Sequence, residues 1–163
     1  MSAETVLQHD HRELDNLLDQ VEKALFVGDG GTAFSKLDSF WARLAVHIRA
    51  EHLHLFPALQ NVIEQTSETG ELIESLREDH NFFMHELAVA IKAMRSITVE
   101  TESEAIESVR KIISLVAARL ERHNDFEESE IYPLVSLLFD STEQGRLIDG
   151  IERELRNLPQ RFK

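Results

Sequence analysis

Apolar residues recur along most of this chain at spacings of three and four, the period of a helix that buries one face. Leu7, Leu14, Leu18, Val21 and Leu25 form one stripe, and Phe34, Leu37, Trp41, Leu44, Ile48, Leu55 and Val62 a second. Ile73, Leu76, Phe83, Leu87, Ile91 and Met94 form a third, and Val109, Ile113, Val116, Leu120, Leu134 and Leu138 a fourth. Stretches rich in helix breakers separate them: GDGG at 28–31, QTSETGE at 65–71 and SITVETESE at 96–104. Thr101 with Glu104, and Ser141 with Gln144, have the spacing of a capping box and predict two helix starts. The pattern predicts an all-α fold: an up-down-up-down four-helix bundle over about residues 3–139, with an additional short C-terminal helix at about 142–157 packed on one end. The chain, 1–163, reads as a single domain.

The stripes are interrupted at particular places by polar residues. His11 stands between Leu7 and Leu14, and His80 between Leu76 and Phe83. Glu51 lies between Ile48 and Leu55 with His47 one turn before it, and His123 and Glu127 continue the fourth stripe after Leu120. Each of the four helices therefore turns an imidazole inward, and two of them add a carboxylate. A buried carboxylate without a partner costs several kcal/mol, against a net stability of about 5–15 kcal/mol for a whole domain. Four inward imidazoles and two inward carboxylates need compensation, and a bound metal pair is the simplest form of it.

Composition narrows the classes further. The chain has no cysteine, which excludes disulfides, thiolate metal sites and thiol nucleophiles and suits a cytoplasmic protein. A net charge of −13 opposes binding to nucleic acid or to an anionic membrane surface. No apolar run approaches a membrane span, and the opening MSAETVLQHDHREL lacks the basic and apolar regions of a secretory signal.

The polar interruptions also repeat. HIRAEHLHLFP at 47–57 and HNDFEESEIYP at 123–133 share the pattern H-x-x-x-E-x-x-x-[L/I]-[F/Y]-P, and each follows a helix with one inward histidine, in DHREL and EDHNFF. The chain reads as two copies of a two-helix unit. Pro57 and Pro133 each lie six residues past the glutamate, where a lost backbone bond is expected to bend the helix near the site.

With these motifs the chain resembles the hemerythrin-like family of HHE cation-binding proteins over about residues 3–139. The resemblance implies a non-haem di-iron centre in the bundle, with an oxo or hydroxo bridge and with manganese or zinc as lesser alternatives. By that analogy His11 and His47 hold one ion, His80 and His123 the other, and Glu51 and Glu127 bridge them. Oxygen-carrying members have a further histidine one turn after the third-helix one, where this chain has Met84, and their last carboxylate is an aspartate five residues on, where this chain has Glu127 at four. Both departures argue against reversible oxygen carriage.

The remaining histidines have plainer readings. His9 falls with Glu13 and Asn16 on a polar face, and His85 lines up with Asn81 and Lys92, so both are expected at the surface. His52 and His54 stand beside the glutamate and are candidates for groups around the site rather than ligands. A ferritin-like pair of Glu-x-x-His motifs is met once, by Glu51 and His54, but fails at Glu127 and Glu130. The expected function is binding and reduction of a small oxidant (peroxide, nitric oxide or O2) with electrons from an external donor. The alternative is an O2-, NO- or iron-sensing module that acts without turnover through a protein partner.

Overall fold

The computed structural model describes residues 1–163 and is helical throughout, with no strand. The elements are α1 (Ala3–Phe26), α2 (Gly30–Ala50), α3 (Phe56–Gln60), α4 (Glu68–Arg95), α5 (Glu102–Phe126), α6 (Leu134–Leu138) and α7 (Ser141–Leu155). Two π-helical turns, Glu51–Leu55 and Glu127–Ile131, join α2 to α3 and lead from α5 towards α6. α1 packs along α2 and α4 along α5, and the two hairpins close through α2 with α4 and α1 with α5.

Side-chain caps set four of the helix starts, three of them simple. Ser2 accepts from Thr5 N at 3.1 Å, Asp29 from Thr32 N at 3.0 Å and Ser67 from Gly70 N at 3.1 Å. Gly28 ends the first hairpin turn at φ 77°, a conformation that costs glycine little. The two sequence-predicted capping boxes differ from what is found. Thr101 occupies the N-cap position of α5, but its hydroxyl accepts from Thr98 N at 3.0 Å and caps nothing. The last helix is boxed one residue earlier than expected, by Asp140 with Glu143, because a carboxylate at 140 already reaches the free N–H of Glu143. Val62 is also misplaced in the second stripe: the helix ends at Gln60 and Val62 is exposed.

Two apolar clusters fill the bundle. One contains Leu14, Leu37, Phe83, Leu87, Val109 and Val116, and the other Leu7, Leu55, Phe56, Ile73, Ile131 and Ile151. Between them, on every long helix, comes the polar residue that interrupts the stripe. α7 closes the second cluster with Leu147 and Ile151, and packs on α1, α2 and the first π turn. Gly150 makes that approach possible, because a Cβ there would lie 2.5 Å from His54 Nδ1. His54 is thus a packing partner of α7.

Each π turn has a local cause. Pro57 and Pro133 have no N–H to give to the α-helical ladder and would crowd the carbonyl four residues back. The residue before each proline instead bonds one place further back: Phe56 N to Glu51 O, and Tyr132 N to Glu127 O at 2.8 Å. Pro57 then sits in the first turn of α3, where no N–H is needed. The expected bend is therefore a widening by one residue, located on the glutamate itself.

Candidate metal centre

The polar layer between the clusters is buried. His11, His47 and His80 are each 2% exposed and His123 4%, while Glu51 and Glu127 are fully covered. The structure brings these six sequence-predicted residues together in two overlapping groups: Glu51, His80, His123 and Glu127, and His11, His47 and Glu127. Within each group the inward donor atoms all lie within 4.8 Å of one another.

Glu127 has one oxygen on each side. Its Oε2 lies 3.3 Å from His11 Nε2, and its Oε1 lies 2.9 Å from His123 Nε2 and 3.7 Å from His80 Nε2. Glu51 Oε1 lies 3.3 Å from His47 Nε2 and 3.5 Å from His80 Nε2. The Nε2 atoms of His80 and His123 face each other at 3.1 Å.

The outer nitrogen of every imidazole is held by a further side chain, and of these only His52 was a candidate from the sequence. His47 Nδ1 donates to Asp10 Oδ2 at 2.8 Å, and His123 Nδ1 to Asp79 Oδ2 at 3.0 Å. His11 Nδ1 donates to Glu128 Oε1 at 2.8 Å, and His80 Nδ1 shares a hydrogen bond with His52 Nε2 at 2.7 Å. Asp10 is in turn held by Arg43 at 3.0 Å, and Asp79 by Arg119 at 2.7 Å. A signal was present in the internal repeat. Both inward histidines of α1 and α4 are preceded by aspartate, and both H-x-x-x-E motifs extend to R-x-x-x-H-x-x-x-E, as Arg43-His47-Glu51 and Arg119-His123-Glu127. The residue after each glutamate, His52 or Glu128, takes the remaining imidazole.

Tyr132 is the other residue that the sequence reading passed over. Its Oη lies 3.0 Å from His11 Nε2, 3.1 Å from Glu51 Oε2 and 2.9 Å from Glu127 Oε2, and its ring is fully buried. Phe56 stands at the matching place of the first repeat and stacks on His80 with ring centroids 5.9 Å apart. Phe83 meets His123 edge-on at 5.3 Å. Met84 is half-buried at the margin of the apolar cluster, so the interior place beside His80 belongs to Phe83. His9 and His85 are exposed.

The electrostatics are those of a charged cluster shut away from water. Burial pushes His123 down, but the charges of Glu127, Asp79 and Glu51 outweigh it and raise it to about 10. His47 is likewise raised, with burial overcome by Glu51 and Asp10. Burial raises Glu127, yet His123, His11 and His80 together hold it well below the usual carboxylate range. Burial, and then the neighbouring charge of His80, lowers His52 to about 4. Burial and the two carboxylates push the Tyr132 phenol up.

A direct test of whether a cation suits this cluster comes from the hydrogen bonding. His47 Nε2, Glu51 Oε1 and Glu127 Oε1 are buried without a hydrogen-bond partner, although charged or polar atoms lie within 3.3 Å of each. A native core leaves few polar atoms in that state, and three orphans in one buried layer, two of them carboxylate oxygens, fit a place for positive ions. The model of the hemerythrin HHE cation-binding domain matches residues 2–135, the whole length that carries this layer. The chain belongs to the hemerythrin HHE family. No match is found among curated proteins or among solved structures. For a hemerythrin HHE chain the buried histidine and glutamate groups are a fitting place for metal, and α7, beyond the matched residues, is an addition that covers one end of it.

Proposed function

We propose that this chain holds a non-haem di-iron centre and uses it to bind and reduce a small oxidant: peroxide, nitric oxide or O2. The observation that carries the reading is the presence of three unpartnered buried atoms, His47 Nε2, Glu51 Oε1 and Glu127 Oε1, in one layer with four imidazoles whose outer nitrogens are held. His11 and His47 would hold one ion, His80 and His123 the other, and Glu51 and Glu127 would bridge. A set of four imidazoles and two carboxylates without thiolate suits iron or manganese better than structural zinc. When bound, an iron pair supplies electrons and an open coordination position to the oxidant.

The protein's own contribution is positional. Asp10, Asp79, Glu128 and His52 fix each ring with Nε2 inward, which preorganises the donor atoms and raises their basicity. The apolar clusters on both sides exclude water, and Phe56 and Phe83 pack against the imidazoles so closely that the site favours a diatomic molecule or peroxide over an organic substrate. Electrons to restore the centre come from an external donor.

Metal analysis of protein purified without added metal, followed by peroxide, nitric oxide and O2 consumption, tests the reading. Two irons per chain with consumption of an oxidant are expected. Saturation at one metal, or iron-loaded protein inert to all three molecules, overturns it. Ligand binding without consumption would make the chain a sensing module instead.

A further inference from the structure

The geometry points to Tyr132 as a phenolate ligand of the ion held by His11 and His47, which makes the two ions unequal. This inference rests on the di-iron reading and adds a donor to it. Oη of Tyr132 lies 2.9–3.1 Å from three atoms, His11 Nε2, Glu51 Oε2 and Glu127 Oε2. A phenol has one proton and can satisfy one acceptor. His11 donates from Nδ1 to Glu128, and its Nε2 is the ring atom turned to the phenol. Two carboxylate oxygens and a ring nitrogen thus crowd one phenol oxygen, whose single proton serves one of the carboxylates and leaves the other without it.

A shared cation satisfies it. An octahedral ion with bonds of about 2.1 Å keeps neighbouring donor atoms about 3.0 Å apart, and the three separations around Oη match that edge length. On ligation the phenol O–H bond breaks as the oxygen–metal bond forms, and the proton leaves to solvent with no change in oxidation state. A bound cation is the largest local charge and reverses the preference of the buried phenol for its neutral form.

The internal repeat provides the contrast. The residue corresponding to Tyr132 is Phe56, which stacks on His80 and has no donor atom. One side therefore has five donors: His11, His47, Tyr132 and one oxygen from each glutamate. The other has four: His80, His123 and one oxygen from each glutamate. The position left for a small oxidant falls on the His80–His123 side.

The chain contains a single tyrosine, so any phenolate signal belongs to Tyr132. The full chain, loaded with iron alone and oxidised, is examined by visible absorption and by Raman scattering excited within the visible band, with iron per chain measured on the same sample. A phenolate-to-iron(III) charge-transfer band with tyrosine ring vibrations is expected, together with loss of both in Tyr132→Phe at two irons per chain. Wild-type protein with two irons and no ring vibrations overturns the tyrosine ligand and leaves the di-iron reading standing. A chain that takes up fewer than two irons overturns both.

Discussion

Asp10 accepts a hydrogen bond from His47 across the α1–α2 contact at 2.8 Å, and it is the residue directly before His11. One short segment of α1 thus serves two imidazoles, contributing His11 itself and orienting His47. Asp79, directly before His80, does the same for His123 at 3.0 Å. Removing the charge while keeping the shape, as in Asp10→Asn, leaves the ring without the carboxylate that fixes its orientation and raises its basicity. Apparent metal affinity is expected to fall by about 10–100-fold with the helical content unchanged. Competition with a chelator measures it, and an affinity within twofold of wild type would deny Asp10 this role.

Metal binding is expected to release protons at neutral pH. In the metal-free protein His123 is raised to about 10, so its imidazole is protonated at pH 7, and Glu51 and Asp10 raise His47 in the same direction. Because the folded-state value of His123 lies above the ordinary 6.5, its protonation stabilises the metal-free fold fully below pH 6.5, and that stabilisation is lost as pH rises through about 10. Metal competes with the same protons, so metal affinity rises over this interval as metal-free stability falls. A pH-stat titration with divalent metal should show base uptake at pH 7, and metal binding that is flat from pH 6.5 to 10 would contradict the assignment.

The loaded protein should melt well above the metal-free one. Ligand at about 1,000 times its dissociation constant stabilises the native state by about 4 kcal/mol, which in a domain of this size raises the melting temperature by on the order of 10 °C. Glu127→Ala removes the carboxylate that faces both histidine pairs, and should lose the metal pair and this increment together. His85→Ala and His9→Ala change exposed side chains and should retain both. Calorimetry with metal analysis on the three variants decides it. Loss of metal in His85→Ala at unchanged fold would mean that α4 supplies a different ligand.

How much of this was legible in the sequence depended on which periodicity held. His11, His47, Glu51, His80, His123 and Glu127 interrupt apolar stripes at helical spacing, and along an unbroken helix that spacing is enough to place them inward. Tyr132 was hidden because it lies five residues after Glu127, about 140° round an ordinary α-helix. The π turn absorbs the extra residue and brings the phenol under the carboxylate. Asp10, Asp79 and Glu128 were hidden for another reason, and His52, though placed near the site, lacked its partner: each acts on a histidine of a neighbouring helix, and one-helix periodicity says nothing of the register between helices. Their trace was the repeat itself, in the paired Asp-His steps and the paired arginines one turn before His47 and His123.

The two metal positions are expected to fill in order, the His11–His47 side first. Arg43 on Asp10 and Arg119 on Asp79 are matched, so these pairs do not discriminate between the sides. The remaining partners differ: Glu128, a carboxylate, holds His11, whereas His52, an imidazole lowered to about 4 and hence neutral at pH 7, holds His80. Glu128 is partly exposed and its charge is screened, so the preference amounts to on the order of tenfold rather than a complete separation. Half-loading with one equivalent of cobalt(II), followed by paramagnetic NMR of the histidine ring protons, should shift those of His11 and His47 more strongly than those of His80 and His123. Glu128→Gln should reduce the bias and His52→Glu should oppose it, since the first removes the distinguishing charge and the second supplies its counterpart. Equal shifts on both sides in the wild-type chain would mean that the residue after each glutamate orients its imidazole without tuning it.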